Sequence, residues 1–282
     1  MFWFYLAVAA TFIFAAQELL MRVLSIRTDN PRLFSVAYNT WGAAFAILLF
    51  VVQRGTLSAL LTLRMPQILL IAASAAMYGL YERYQFNARR GMDAATFAIV
   101  MRLQTVIAFF GAILFLGESL TLVKFSGVLL IVVATMLLIY RNPKFSFTPA
   151  FWYAMVCSIM LGATGFTDKP ASVALPASLY SFLMWTLPLG IIAFPGIQVK
   201  QLKKEFRNGG WHIAIAAILN VVGYIIYIRA LGLAEASRVN PIVATNSVIT
   251  VLGGIYLLHE RDHFRRKLLA GIIAFAGVIL LK

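Results

Sequence analysis

The chain carries one pattern twice. A shift of 142 residues moves Glu118 onto Glu260, Gly111 onto Gly253, Leu116 onto Leu258, Gln104 onto Asn246, Asp93 onto Glu235 and Ala94 onto Ala236. Each copy reads as a long apolar run, a Gly-Glu or His-Glu step, and a second apolar run. If each copy crosses a membrane an odd number of times, the second enters from the opposite side. Inverted repeats of this kind enclose a midplane site in secondary transporters.

Hydrophobic residues make up 62% of the chain and charged residues 12%, whereas a soluble domain is nearer half apolar and a quarter charged. Apolar stretches near the ~20 residues needed to cross a hydrocarbon core fall at 2–20, 33–53, 68–88, 94–116, 122–140, 150–167, 178–198, 211–233, 239–258 and 264–281. The expected fold class is therefore an all-α membrane protein with ten transmembrane helices in two inverted five-helix repeats. The repeats take residues 1–140 and 150–282. A linker at 141–149 holds Pro143, Pro149 and a polar cluster. The 200–210 stretch reads as a charged loop ending at Gly209-Gly210, and Pro188 is expected to kink the seventh span.

The stretch 2–20 lacks a basic start and a small-residue cleavage site, so it reads as a first span rather than a leader. Cys157 is the single cysteine, which excludes an internal disulfide. The net charge of +14 sits mainly in loops between spans, which argues for topology rather than nucleic-acid binding. Loops after odd-numbered spans carry most of the Lys and Arg, and the positive-inside rule then favours both termini outside. The expected location is a multi-pass position in a bacterial or archaeal cell membrane.

Charge at membrane depth marks the candidate site. A charged residue facing lipid at a span centre costs roughly 2.5–3.5 kcal/mol. Glu18, Glu82, Arg83 and Arg102 lie in or near spans, so together they would cost on the order of 10 kcal/mol if they faced acyl chains. They are expected to face the bundle interior or a watery cavity. Glu82, Gln85 and Arg89 share one helical face. Asn39 borders an aromatic stripe of Tyr38, Trp41, Gly42 and Phe45, while Asn220 pairs with Tyr224 and Asn246 with Thr250 at i, i+4. Glu18, Asn39, Trp41, Glu82, Arg102, Gln104, Tyr224 and Asn246 are the candidate substrate-binding or coupling residues. The bland alternatives are an ion pair between Glu82 and Arg102, amide glue between helices at Asn220 and Asn246, and snorkelling at Glu18. Glu18 and Glu82 are also candidate proton carriers, since burial favours a neutral carboxyl. Glu118 and Glu260 are expected to accept from free N–H groups of the helix that follows each.

His259-Glu260-Arg261-Asp262-His263 matches H-E-x-x-H, the pattern of a zinc-dependent protease. Three features oppose that reading. Glu260 is already explained by its repeat partner Glu118, the stretch lies at a span junction, and no further Asp, Glu, His or Cys follows as a third ligand. No phosphate-cradling loop and no Ser or Cys with a placed His partner is present, so neither an enzyme nor a cofactor or metal is expected.

Gly117-Glu118-Ser119-Leu120 followed by Gly127, and His259-Glu260-Arg261 followed by Gly271, resemble the steps that close the fourth and ninth spans of the EamA-type members of the drug/metabolite transporter superfamily. Ala88 and Ala230 match the alanines ending the third and eighth spans. The resemblance covers nearly the whole chain. The chain departs from it at Gln104-Thr105 and Asn246-Ser247, where the family often has proline, and at Phe14-Ala15-Ala16-Gln17-Glu18, where it often has a Trp-Gly-Ser-like step. The resemblance implies a secondary transporter, an exporter or exchanger of a small metabolite working by alternating access. Mixed signs among the candidates point to a zwitterion such as an amino acid, with protons as a coupling ion. The alternatives are an intramembrane zinc metalloprotease using His259, Glu260 and His263, and a membrane scaffold that moves no solute. Zinc content separates the first, and ligand-induced thermal shift the second.

Overall fold

The computed structural model describes residues 2–25, 30–91, 100–101, 103–139, 148–246, 248–250 and 264–281. They form α1 (Phe2–Ser25), α2 (Pro31–Val52), α3 (Ser58–Leu61), α4 (Met65–Gly91), α5 (Leu103–Leu116) and α6 (Leu122–Ile139) in the first half. The second half holds α7 (Pro149–Ala174), α8 (Ala177–Thr186), α9 (Pro188–Ala193), α10 (Val199–Leu233), α11 (Ala236–Ala244) and α12 (Phe264–Leu281). Phe2–Met21, Pro31–Val52, Pro149–Ala171 and Val199–Leu233 are long and apolar enough to cross a membrane. Leu114, Phe115, Leu129 and Phe275 are among many large apolar side chains left exposed. Apolar surface of this extent suits the acyl chains of a bilayer.

The helices pair reciprocally across the halves. The first helix of one half packs on the third long helix of the other, α1 on α10 and α7 on α4. The fifth helices, α6 and α12, pack on each other. At that crossing a Cβ on Gly277 would lie 2.7 Å from the Gly127 carbonyl oxygen, and one on Gly127 would lie 3.0 Å from the Gly277 carbonyl oxygen. Only two glycines allow so close an approach. Directions follow from the contacts. Ser74 bonds Thr167 at 2.8 Å and the Tyr81 carbonyl receives the Cys157 thiol, so α4 and α7 are antiparallel. Thr11 reaches the Ile242 carbonyl and Thr250 the Ala15 carbonyl, so α1 runs parallel to the chain through α11. Exchanging the halves maps the pairing of α1 with α10 onto that of α7 with α4 and leaves α6 with α12 in place, and the antiparallel run of α4 and α7, the third and sixth spans, is what inverted repeats require.

Not every span is one rod. The stretch 178–198 divides at Leu187, because Pro188 opens a new helix and lacks the N–H to continue the old one. The loop expected at 200–210 is helical instead. Its Lys, Gln, Leu and Glu are good helix formers, and the break is confined to Gly210 at φ 53°. The sixth span, expected to end at 167, runs on to Ala174 as α7 through Asp168, Lys169 and Pro170. The ninth is interrupted at Thr245, downstream of Pro241. Of the linker, only Thr148 and Pro149 lie among the described residues, where Thr148 accepts from the Phe151 N–H to cap α7.

Candidate functional site

A cavity of about 220 Å³ lies between the halves, walled by α1, α2, α4, α5, α7, α8, α10 and α11. Glu18, Asn39, Glu82, Gln104, Tyr224 and Asn246 all line it, so six of the eight sequence candidates converge. The charge contact expected between Glu82 and Arg102 is not described, because the Arg102 side chain lies outside the described residues.

Trp41 stands elsewhere. It is 36% exposed, stacks on Phe45 and meets Phe206 edge-on. The stripe on α2 is centred on Gly42, which receives the face of Trp185 from α8. Tyr38, on one flank, turns into the cavity wall, while Trp41, on the other, turns to the surface. Arg83 also leaves the cavity. Its guanidinium donates to the Ile191 and Phe194 carbonyls at 2.7 and 2.6 Å, beside Arg32, which serves the Ile192 and Ala193 carbonyls. The two cations satisfy orphan acceptors at the C-terminus of α9.

One wall is polar and charged. Glu82 is 8% exposed, and its Oε2 accepts from Gln85 Nε2 at 2.6 Å, Asn39 Nδ2 at 3.1 Å and the Ser35 hydroxyl at 3.4 Å. Its Oε1 makes no hydrogen bond to a described residue, and Glu82 lines the cavity. Arg89, one further turn along α4, stands 3.6 Å from Glu18. Thus i, i+3, i+7 spacing on α4 sets a carboxylate, an amide and a guanidinium in one row. Next to this row the Tyr38 hydroxyl receives Gln17 Nε2 at 3.1 Å and Asn220 Nδ2 at 2.5 Å. On α5, also in the wall, Gln104 Oε1 and Thr105 Oγ1 are buried without a hydrogen-bond partner among the described residues. A native interior leaves few such atoms unless water or a ligand meets them.

Of the floor, the sequence candidates include only Tyr224. Tyr78, Tyr224 and Tyr227 line it. Behind them Asp168 is fully buried. It accepts the Tyr180 hydroxyl at 2.6 Å on Oδ1, and the Tyr78 and Tyr224 hydroxyls at 2.7 and 3.2 Å on Oδ2. Tyr227 donates to Asn240 Oδ1 at 2.7 Å, and Asn240 donates to the Gly165 carbonyl at 2.6 Å. Asp168 was passed over because Asp-Lys-Pro reads as a loop after an apolar run. The missed signal is its burial partners, tyrosines on three separate helices.

Beyond the floor the helices close on buried apolar side chains, among them Ala7, Ile71, Phe109, Leu231 and Val239. A charged cluster caps that end. Glu118 accepts from the Ala236 and Ser237 N–H groups at 2.8 and 2.9 Å, holding the N-terminus of α11. The expected recipient was the helix after Glu118; the actual one belongs to the other half, because the pseudo-symmetric packing brings α11 to the end of α5. Lys169 donates to the Leu231 and Ala234 carbonyls at the C-terminus of α10. Lys124, 2% exposed, meets Glu235 at 2.6 Å. Glu260, His259 and His263 lie outside the described residues, and among the described residues no group of three His, Cys, Asp or Glu is placed to hold a metal ion.

A comparison with curated proteins finds no match. Among solved structures, one described as the crystal structure of a protein aligns with a TM-score of 0.72 and 16% identity, over 97% of this chain and 95% of that one. At that identity the likeness speaks for the fold alone. The profile of the EamA-like transporter family matches residues 1–140 and again 148–282, one copy per half. With the duplicated sequence, the reciprocal helix pairing and the cavity between the halves, that double match makes the chain a member of the EamA-like transporter family, and so an integral membrane transporter of the drug/metabolite type.

Proposed function

We propose that the protein is a secondary transporter of a small zwitterionic metabolite of amino-acid type. The observation that carries this reading is the row Glu82, Gln85 and Arg89 on α4, with Glu18 opposite Arg89. A carboxylate oxygen and a guanidinium on one helical face match the ammonium and carboxylate of such a solute. Gln104, Thr105 and Asn246 then supply neutral hydrogen bonds to its side chain from the facing wall. Arg102 belongs to the same proposal from sequence. The cavity is small, is walled by side chains from both halves, and is bounded by apolar packing on one side. Rocking of the halves about it would expose it alternately, with protons supplying the driving force and the cell membrane as its setting.

The test is uptake and efflux in proteoliposomes across a panel of amino acids and small metabolites, with and without an imposed pH gradient. Saturable flux of at least one zwitterion, lost in Arg89→Gln, supports the proposal. Flux confined to apolar cations or to none of the panel contradicts it.

A further inference from the structure

We propose that Asp168 is the proton-binding site of the transport cycle, and that Tyr224 and Tyr78 report its protonation to the cavity. This deepens the transporter reading above and rests on it. Asp168 is fully buried in α7. Its neighbours in every packed element are accounted for. From α4 come Tyr78 and Ser74, the latter bonded to Thr167. From α8 comes Tyr180 and from α10 comes Tyr224, while Tyr227 donates to Asn240 instead. Helix α5 holds no ionisable residue. On α11 Arg238 is turned to Glu235, and on α7 itself Lys169 is turned to the Leu231 and Ala234 carbonyls. Among the described residues no cation pairs with this carboxylate.

An unpaired carboxylate at membrane depth is costly and marks function by default. A hydrated metal ion or an ammonium group would have to displace a tyrosine, because hydroxyls already crowd both oxygens. A proton needs no such room. Its arrival has a definite consequence. A tyrosine hydroxyl owns one hydrogen and can also accept. While Asp168 is ionised, Tyr78, Tyr180 and Tyr224 each spend that hydrogen on it. When Oδ2 takes a proton from cavity water, the new O–H donates to the oxygen of Tyr224 or Tyr78. That tyrosine must then turn its own hydrogen away, and both line the cavity. One proton taken up at Asp168 thus reverses one tyrosine–carboxyl hydrogen bond and presents one donor to solute. Proton and solute would bind together, each favouring the other, as reciprocal coupling demands.

Infrared difference spectra between acid and alkaline pH test this on the full chain in phosphatidylcholine liposomes, without any solute. The expected result is a protonated carboxyl band that shifts on ¹³C-aspartate labelling, is absent in Asp168→Asn, and is accompanied by a tyrosine C–O change reduced in Tyr224→Phe. Asp29→Asn, Asp93→Asn and Asp262→Asn remove the other labelled carboxyls, so the label reads Asp168 in a chain that keeps it and the proposal stays falsifiable if Asp168→Asn fails to fold. A titrating band that ignores the label, persists in Asp168→Asn, or never occurs overturns it. The amino-acid panel under a pH gradient runs in parallel, and gradient-driven accumulation is expected to fall at least tenfold in Asp168→Asn. Driven flux with no Asp168 band sinks the proton site alone. An Asp168 band with no flux of any panel member sinks the solute reading alone.

Discussion

On the proposed reading Glu82 serves structure through one oxygen and solute through the other. All three of its donors converge on Oε2. Gln can place its carbonyl oxygen there and keep every bond, so Glu82→Gln is expected to change unfolding free energy by less than about 1 kcal/mol while removing the charge that Oε1 offers. Glu82→Ala strands Asn39 and Gln85 and is expected to cost about 1–3 kcal/mol. Thermal unfolding in detergent beside flux measurements separates the two: a stable but inactive Gln variant fits, and equal loss of stability in both does not. The place of this residue in the cavity wall was legible in sequence, since an acid at membrane depth on the same face as Gln85 and Arg89 has few places to go. Trp41 and Arg83 were not legible. Periodicity gives the angle between side chains on a helix, and which helix covers that angle is decided only by packing.

At the scale of the element, the ends of helices hold the molecule shut. Glu118 from one half holds the first N–H groups of α11 in the other. Glu118→Ala is expected to lower unfolding free energy by about 1–2 kcal/mol, with Glu118→Gln recovering part of it; denaturant titration in mild detergent measures both. Glu235, in the turn before α11, adds a pH term. Burial opposes its charge, but Lys124 and Arg238 outweigh that and hold its carboxyl below its ordinary value. Its contribution is therefore present above the usual glutamate range and is lost as pH falls through the lowered value. The stability gap between wild type and Glu235→Gln is expected to be constant at neutral pH and to close only in acid; a gap that closes at alkaline pH contradicts the pairing. These caps could be anticipated as caps, because a Gly-Glu step ends an apolar run. Their recipient could not be, because sequence spacing does not reveal that α11 lies beside α5. The extension of α7 to Ala174 was hidden for a related reason. Charge inside a helix is invisible as such until the tyrosines that bury it are known.

For the whole molecule, duplication and hydropathy already implied two opposed halves, and the reciprocal pairing of α1 with α10, α7 with α4 and α6 with α12 is what that symmetry requires. Substitution at the α6–α12 crossing tests it. Gly277→Leu would drive a side chain into the Gly127 carbonyl, and a cost of about 1–3 kcal/mol is expected from overpacking, seen as a lowered melting temperature. The same change at Gly190, which has open space, is expected to be mild. Among the described residues the tyrosine-ringed carboxylate is found in the second half, at Asp168; Asp29, in the matching Thr-Asp-x-Pro step of the first half, lies outside the described residues.

Water access to the cavity is the measurement closest to the centre. On a Cys157→Ser background, Gln104→Cys places a thiol in the cavity wall and Leu129→Cys places one on the half-exposed outer face of α6. Rapid reaction of the first with a membrane-impermeant maleimide in native membranes, and none of the second, is the expected result. An inert thiol at 104 beside a reactive one at 129 would mean that the polar side chains do not meet water between the halves, and no solute could pass there.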